Sequence, residues 1–141
     1  MKKKTALVTG TSRGIGKSIK ESLLNEQIEV ISPSRNELDL SSFESINDFL
    51  TNLSTSIDIL VNNAGILKVG QHNEISSVDF HEILQVNVIA PFVMMSKLSH
   101  SMKENKYGRI VNVSSIWSQV SREGRSIYSA SKAAIDSLTR S

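Results

Sequence analysis

Thr5-Ala6-Leu7-Val8-Thr9-Gly10-Thr11-Ser12-Arg13-Gly14-Ile15-Gly16 decides how this chain is read. A four-residue apolar run stops at a glycine-rich turn. Beyond it, Ile15, Ile19, Leu23 and Leu24 recur at helical spacing, with Lys and Glu on the other face. The pattern is a buried parallel strand, a turn and a helix. Each glycine has a task. Gly10 turns the chain off the strand, Gly14 keeps side chains away from an approaching pyrophosphate, and Gly16 lets helix and sheet pack closely. The helix amino terminus offers free N–H groups and a positive dipole end to phosphate. The spacing is G-x3-G-x-G rather than G-x-G-x-x-G, and such a turn alone can be purely structural. Its place between strand and helix favours a nucleotide site.

Outward from this turn, strands and helices alternate. Ile28-Glu29-Val30-Ile31 predicts a second strand ended by Pro33, and Glu37-Leu38-Asp39-Leu40 a short third one. Ser42 caps a helix with Phe43, Ile46, Phe49, Leu50 and Leu53 as its apolar positions. Ile57-Asp58-Ile59-Leu60-Val61 predicts a fourth strand, closed by Asn62-Asn63-Ala64-Gly65. A long helix follows through Phe80, Ile83, Leu84, Asn87, Val88, Val93, Met94, Leu98 and Met102. Pro91 falls inside that pattern and predicts a kink or an irregular turn near Asn87. Residues 108–113 predict a fifth strand, and the chain from Tyr128 onward is helical. This alternation implies an α/β fold: a doubly wound parallel sheet (Rossmann fold) with helices on both faces and strand order 3-2-1-4-5. Nothing marks a linker or repeat, so residues 1–141 read as one domain.

Composition narrows the function classes. Of 141 residues, 39% are hydrophobic and 21% charged, which is ordinary for a globular chain. Sixteen basic and fourteen acidic residues leave a net charge of +2, too little for nucleic-acid binding on charge alone. The Lys2-Lys3-Lys4 run reads as a solvated tail. There is no cysteine, which excludes disulfides and fits a reducing, cytoplasmic setting. Ala6-Leu7-Val8 is too short for a signal-peptide core, and no stretch approaches a bilayer span, so no membrane role is expected. His72, His81 and His100 lack metal-ligand spacing, and no metal is expected.

The remaining chemistry sits in four places: Asn62-Asn63-Ala64-Gly65, Asn87, Ser115, and the Y-x3-K pair Tyr128 and Lys132, with Ser115 thirteen residues before the tyrosine. A lone Tyr–Lys pair at this spacing is usually a surface contact. Together with Thr9, Gly10, Gly14, Ile15 and Gly16 as T-G-x3-G-I-G, in order across the whole chain, these motifs make the sequence resemble the short-chain dehydrogenase/reductase family. Within it the resemblance is to 3-oxoacyl-carrier-protein reductases and similar carbonyl reductases. It implies a nicotinamide cofactor held by Gly10, Ser12, Arg13, Gly14, Ile15, Gly16, Asn63, Ala64 and Gly65, with Lys132 also holding the nicotinamide ribose. An ordinary phenol titrates near 10, and a cation one helical turn away favours its ionised form. Tyr128 would thus donate the proton in carbonyl reduction. Ser115 rather than its neighbour Ser114 would bond the substrate oxygen, and Asn87 would anchor a water that passes protons to Lys132.

The end of strand two, Ile31-Ser32-Pro33-Ser34-Arg35, carries no acid to hold a ribose 2′-hydroxyl. Arg35, with Arg13 on the same side, suits a 2′-phosphate and favours NADP(H) over NAD(H), although Arg35 is also readable as a solvent-facing loop charge. Asp39 and Leu40 match the family's adenine contact. The partner implied is a small-molecule carbonyl or alcohol substrate, with a homodimer or homotetramer through the long helices. Family members continue past the Tyr–Lys helix, so this chain is expected to be their amino-terminal part. The alternative reading is a catalytically silent nucleotide-binding or interaction fragment.

Overall fold

The computed structural model describes residues 3–141, so Lys2 of the predicted basic tail lies outside the described residues. Four strands, β1 (Thr5–Val8), β2 (Glu29–Ile31), β3 (Ile59–Asn62) and β4 (Arg109–Asn112), form one parallel sheet in the order β2-β1-β3-β4. Between them run α1 (Gly14–Asn25), α2 (Phe43–Thr51), α3 (Ser77–Leu84) and α4 (Ala90–Glu104), and α5 (Ser126–Arg140) follows β4. Side chains alternate across the sheet with the strand period of two. Ala6, Val8 and Val61 pack towards Ile19 and Leu23 of α1. Leu7 and Leu60 face the other way, into a larger core with Ile46, Ala90, Met94 and Leu98. This is the doubly wound α/β arrangement that the strand–helix alternation predicts.

The expected third strand at Glu37-Leu38-Asp39-Leu40 does not form, so there are four strands instead of five and the order 3-2-1-4-5 becomes 2-1-3-4. Leu38 and Leu40 are buried, as their alternation suggested. The backbone between them is tied up locally. The N–H groups of Glu37 and Leu38 donate to the Ser34 carbonyl, at 3.1 and 3.0 Å. Asp39 N–H donates to Ser45 Oγ at 2.9 Å, and Asp39 Oδ1 accepts from Ser41 N–H at 2.9 Å. The Ser34 carbonyl and the Ser45 hydroxyl have taken N–H groups that a ladder would use.

The kink expected near Asn87 is a π-helical turn at Gln85–Ile89, which joins α3 to α4. Pro91 lacks the N–H that an α-helix would direct at the Asn87 carbonyl, so the ladder cannot continue unbroken. The continuous helical stretch Ser77–Glu104, 28 residues with a mean hydropathy of 1.2 over its most apolar window, does reach bilayer-spanning length and composition. This corrects the expectation that no stretch approaches it. Ile83, Val86, Ala90, Met94, Leu98 and Met102 are buried along one side, which makes it a core helix of the sheet.

Lys4 is another correction: it is no solvated tail. Its Nζ donates to Asp58 Oδ1 at 3.2 Å and lies 3.6 Å from the centre of the Tyr107 ring. At the end of the strand order, β4 pairs among the described residues with β3 alone, and Ile110 and Val111 remain 37% and 47% exposed.

Candidate active site at the carboxyl ends of the strands

The turns after β1 and β3 are fastened to each other. Thr9 Oγ1 accepts the N–H groups of Asn63 and Ala64 at 3.1 and 3.0 Å. In return the Asn63 amide donates to the carbonyls of Thr9 and Gly10, both at 2.9 Å. This clamp leaves no room for a Cβ at two glycines. At Gly10, whose φ is +69°, it would lie 2.8 Å from Ala64 Cα. At Gly16 it would lie 2.1 Å from the Gly10 carbonyl oxygen and 2.3 Å from Asn63 Nδ2. Gly16 is therefore required by the neighbouring turns rather than by the sheet. Gly14 has a φ of +55° and open space where a Cβ would stand, so the first turn of α1 is uncovered.

A cleft of about 480 Å³ runs from this turn to the end of β2. Gly10, Ser12, Arg35, Asp39, Leu40, Ala64 and Gly65 line it. Arg13, Gly14, Ile15, Gly16 and Asn63 do not. Gly16 and Asn63 support the wall from behind, and Ile15 is 65% exposed on the outer side of the turn. The Arg35 side chain is 78% exposed, and its Nε lies 3.9 Å from Asp39 Oδ2. The Asp39 carboxyl is held below its ordinary range by hydrogen bonds from Ser41, with the Arg35 charge a smaller contribution. Leu40 is mostly buried, and its carbonyl accepts from Gln85 Nε2 at 3.3 Å. Among the described residues no cluster suits a metal ion, and His81 and His100 bond only within their own helices.

Gly65 is the shared wall between this cleft and the Tyr–Lys helix: a Cβ there would lie 3.3 Å from Asn87 Oδ1 and 3.6 Å from Lys132 Nζ. Asn87 is buried. Its Oδ1 accepts Ile66 N–H at 2.9 Å, and its amide donates to the Ile66 carbonyl and to Ser131 Oγ, each at 3.0 Å. Ser131 Oγ in turn donates to the Tyr128 carbonyl at 2.7 Å. Lys132 is buried, and its ammonium donates to the Val113 carbonyl at 2.8 Å, just past β4. Burial pushes its pKa below the ordinary lysine value, and the charge of Asp136 opposes that shift. The ammonium lies over the Tyr128 ring, 5.8 Å from its centre.

Ser115 follows β4 and caps a short 3₁₀ turn, Ile116–Ser118, accepting Trp117 N–H at 3.3 Å. Among the described residues its hydroxyl donates to nothing, whereas the Ser114 hydroxyl reaches the Lys132 carbonyl at 3.4 Å. The structure thus brings Asn87, Tyr128 and Lys132 together and leads Ser115 to the same end of the sheet. Sequence reasoning missed Ser131 and the clamping role of Thr9. A serine inside the apolar face of α5, between the Tyr and the Lys, was the available signal for Ser131. The Thr9 contacts span more than fifty residues and left none.

Residues 37–141 match the family model described as short chain dehydrogenase. The chain is 34% identical, over an alignment of 163 positions with gaps, to the 3-oxoacyl-[acyl-carrier-protein] reductase FabG of Aquifex aeolicus, covering 98% of this chain and 66% of that protein. A short-chain dehydrogenase from Streptomyces avermitilis superposes with a TM-score of 0.93 at 30% identity, covering 98% of this chain and 58% of that one. A 4-hydroxyisoleucine dehydrogenase complexed with NADH and succinate gives 0.89 at 31% identity, with coverage of 96% and 69%. The chain spans about two thirds of the length of the curated relatives it matches, 66% and 64% of the first two. With its glycine turn, its Asn-Asn-Ala-Gly loop and its Tyr–Lys helix on one parallel sheet, the chain belongs to the short-chain dehydrogenase/reductase family.

Proposed function

We propose that this chain carries the cofactor-binding and proton-transfer portion of an NADP(H)-dependent oxidoreductase that reduces a ketone or 3-oxoacyl carbonyl. The observation that carries this reading is the buried Lys132 ammonium, anchored to the Val113 carbonyl and lying over the Tyr128 ring. The residues present fit a dinucleotide. At Gly14 the first turn of α1 is uncovered, and the cleft continues from the glycine turn to Arg35 and Asp39. When bound, the nicotinamide supplies the hydride. The protein supplies the rest. Tyr128 gives its proton to the carbonyl oxygen, and the Lys132 charge stabilises the phenolate left behind. Ser115, whose hydroxyl accepts from Trp117 N–H but among the described residues donates to nothing, bonds the same oxygen. Asn87 fixes the helix turn and anchors a water at its carbonyl, which Pro91 leaves without its α-helical donor.

Arg35 with no acid at the end of β2 supports NADP(H): its side chain is exposed, and its contact with Asp39 is a long one of 3.9 Å that a 2′-phosphate can displace. Exposed Phe80, Ile89 and Phe92 on the long helix support pairing of copies through that element. A cytoplasmic setting fits the absence of cysteine.

The test is a titration of NADPH and NADH into the protein and its Tyr128→Phe variant, with a ketone panel for turnover. NADPH should bind more tightly than NADH. Tyr128→Phe should bind it nearly as well while turnover falls at least about a hundredfold, the scale of general acid catalysis. Retained turnover would refute the assigned acid. A second reading, a nucleotide-binding unit without turnover of its own, is favoured by the cleft, whose lining from Gly10 to Asp39 is complete without Ser115, Tyr128 or Lys132. NADPH binding with no turnover in either protein supports it.

A further inference from the structure

Resting on the proton-transfer reading above, we infer that Arg125, assisted by Arg122, forms a subsite for an oxoacid anion beside the reacting carbonyl, so that the substrate carries a carboxylate or phosphate. The segment between Ser115 and Tyr128 joins the two residues proposed to meet the carbonyl oxygen. Within it Trp117 gathers two cations, the guanidinium of Arg125 at 5.7 Å and that of Arg122 at 6.0 Å from its ring centre. Trp117 N–H is bonded to Ser115 Oγ at 3.3 Å. Arg125 stands three residues before Tyr128 at the start of α5, a spacing that puts both on one side of the helix. The positive end of that 15-residue helix adds to the same field.

The frame that presents these cations is fixed. Arg125 N–H donates to the Arg122 carbonyl at 3.1 Å, and Gly70 N–H donates to the Gly124 carbonyl at 3.1 Å. Ser121 Oγ bonds Ser129 Oγ at 3.1 Å. The nearby acids are engaged elsewhere. Glu123 takes the Gln71 side chain, and Asp136 takes Gln119 Nε2 at 3.2 Å, its carboxyl held below the ordinary range by the Ser114 and Ser118 hydroxyls. Among the described residues neither arginine forms an ion pair. Two guanidiniums on one indole, with no carboxylate of their own, suit bidentate capture of an oxoacid anion.

Trp117 is the sole tryptophan, so its emission reports on this site without any turnover. Acetoacetate, dihydroxyacetone phosphate and methyl acetoacetate are titrated into the protein with NADPH present, following emission and NADPH oxidation separately. At least one anion should shift the emission saturably where the neutral ester does not, and the anion that responds identifies carboxylate or phosphate. R125M should weaken that binding about tenfold or more, R122M less, and R125K should retain part of it. Emission that responds to no anion, or equally to the ester, or unchanged anion binding in R125M, overturns the subsite. Ketone reduction without preference for an anion leaves the reductase reading standing and sinks the subsite. Anion binding at Trp117 with no reduction of any ketone does the reverse.

Discussion

Lys132 is 5% exposed, and its ammonium has the Val113 carbonyl as its hydrogen-bond partner. Burial lowers its proton affinity below that of the same amine in the unfolded chain. Between the lowered folded pKa and the ordinary value of 10.5 the unfolded state therefore binds more protons, and stability from this position rises with pH. The cost of the buried charge is fully present below the folded pKa and fades above it. Urea unfolding from about pH 8 to about pH 10 should show the stability of the wild type rising relative to Lys132→Met, because the orphaned Val113 carbonyl of the variant does not titrate. Parallel pH profiles would remove the buried charge from the account. Lys132 and Tyr128 were legible in the sequence because one helical turn sets their relation. Ser131, which ties the Tyr128 carbonyl to Asn87, was not, since its partner lies forty-four residues away.

Among the elements, residues 34–45 show where pattern and backbone part company. Leu38 and Leu40 alternate and are buried, but Ser34, Asp39, Ser41 and Ser45 bond the intervening backbone into turns. Period two marked which side chains go inside, and it carried no information about whether the backbone would find a neighbouring strand. The π turn at Gln85–Ile89 was more readable, because proline removes one identifiable donor. Ser42 starts α2 as expected, its hydroxyl accepting Ser45 N–H at 3.1 Å. Ser42→Ala should lower unfolding stability by about 1 kcal/mol, read from denaturant melts, without disturbing NADPH binding. A change under a few tenths would mean that the cap contributes nothing to α2.

At the scale of the molecule, the open side of β4 stands out. Ile110 and Val111 are exposed, an apolar surface on which further polypeptide can pack. Val111→Lys should reduce concentration-dependent association in sedimentation velocity, and an unchanged distribution would assign any association to the long helix instead. Strand count and order were only partly legible, since the parallel sheet was implied by alternation while the dropped third strand was not. The glycine turn was legible as the junction of β1 and α1, yet its clamp to the Asn-Asn-Ala-Gly loop depends on contacts that no local pattern reveals. The Asn87 amide has a consequence of its own. One side chain grips both polar groups of Ile66 and also the hydroxyl of Ser131, so the cleft wall and the Tyr–Lys helix are measured from a common point. Residues 67–76 and 116–125 can then vary in length or chemistry without moving that point. On the proposed oxidoreductase reading, substrate choice would then drift while the reacting groups stay put.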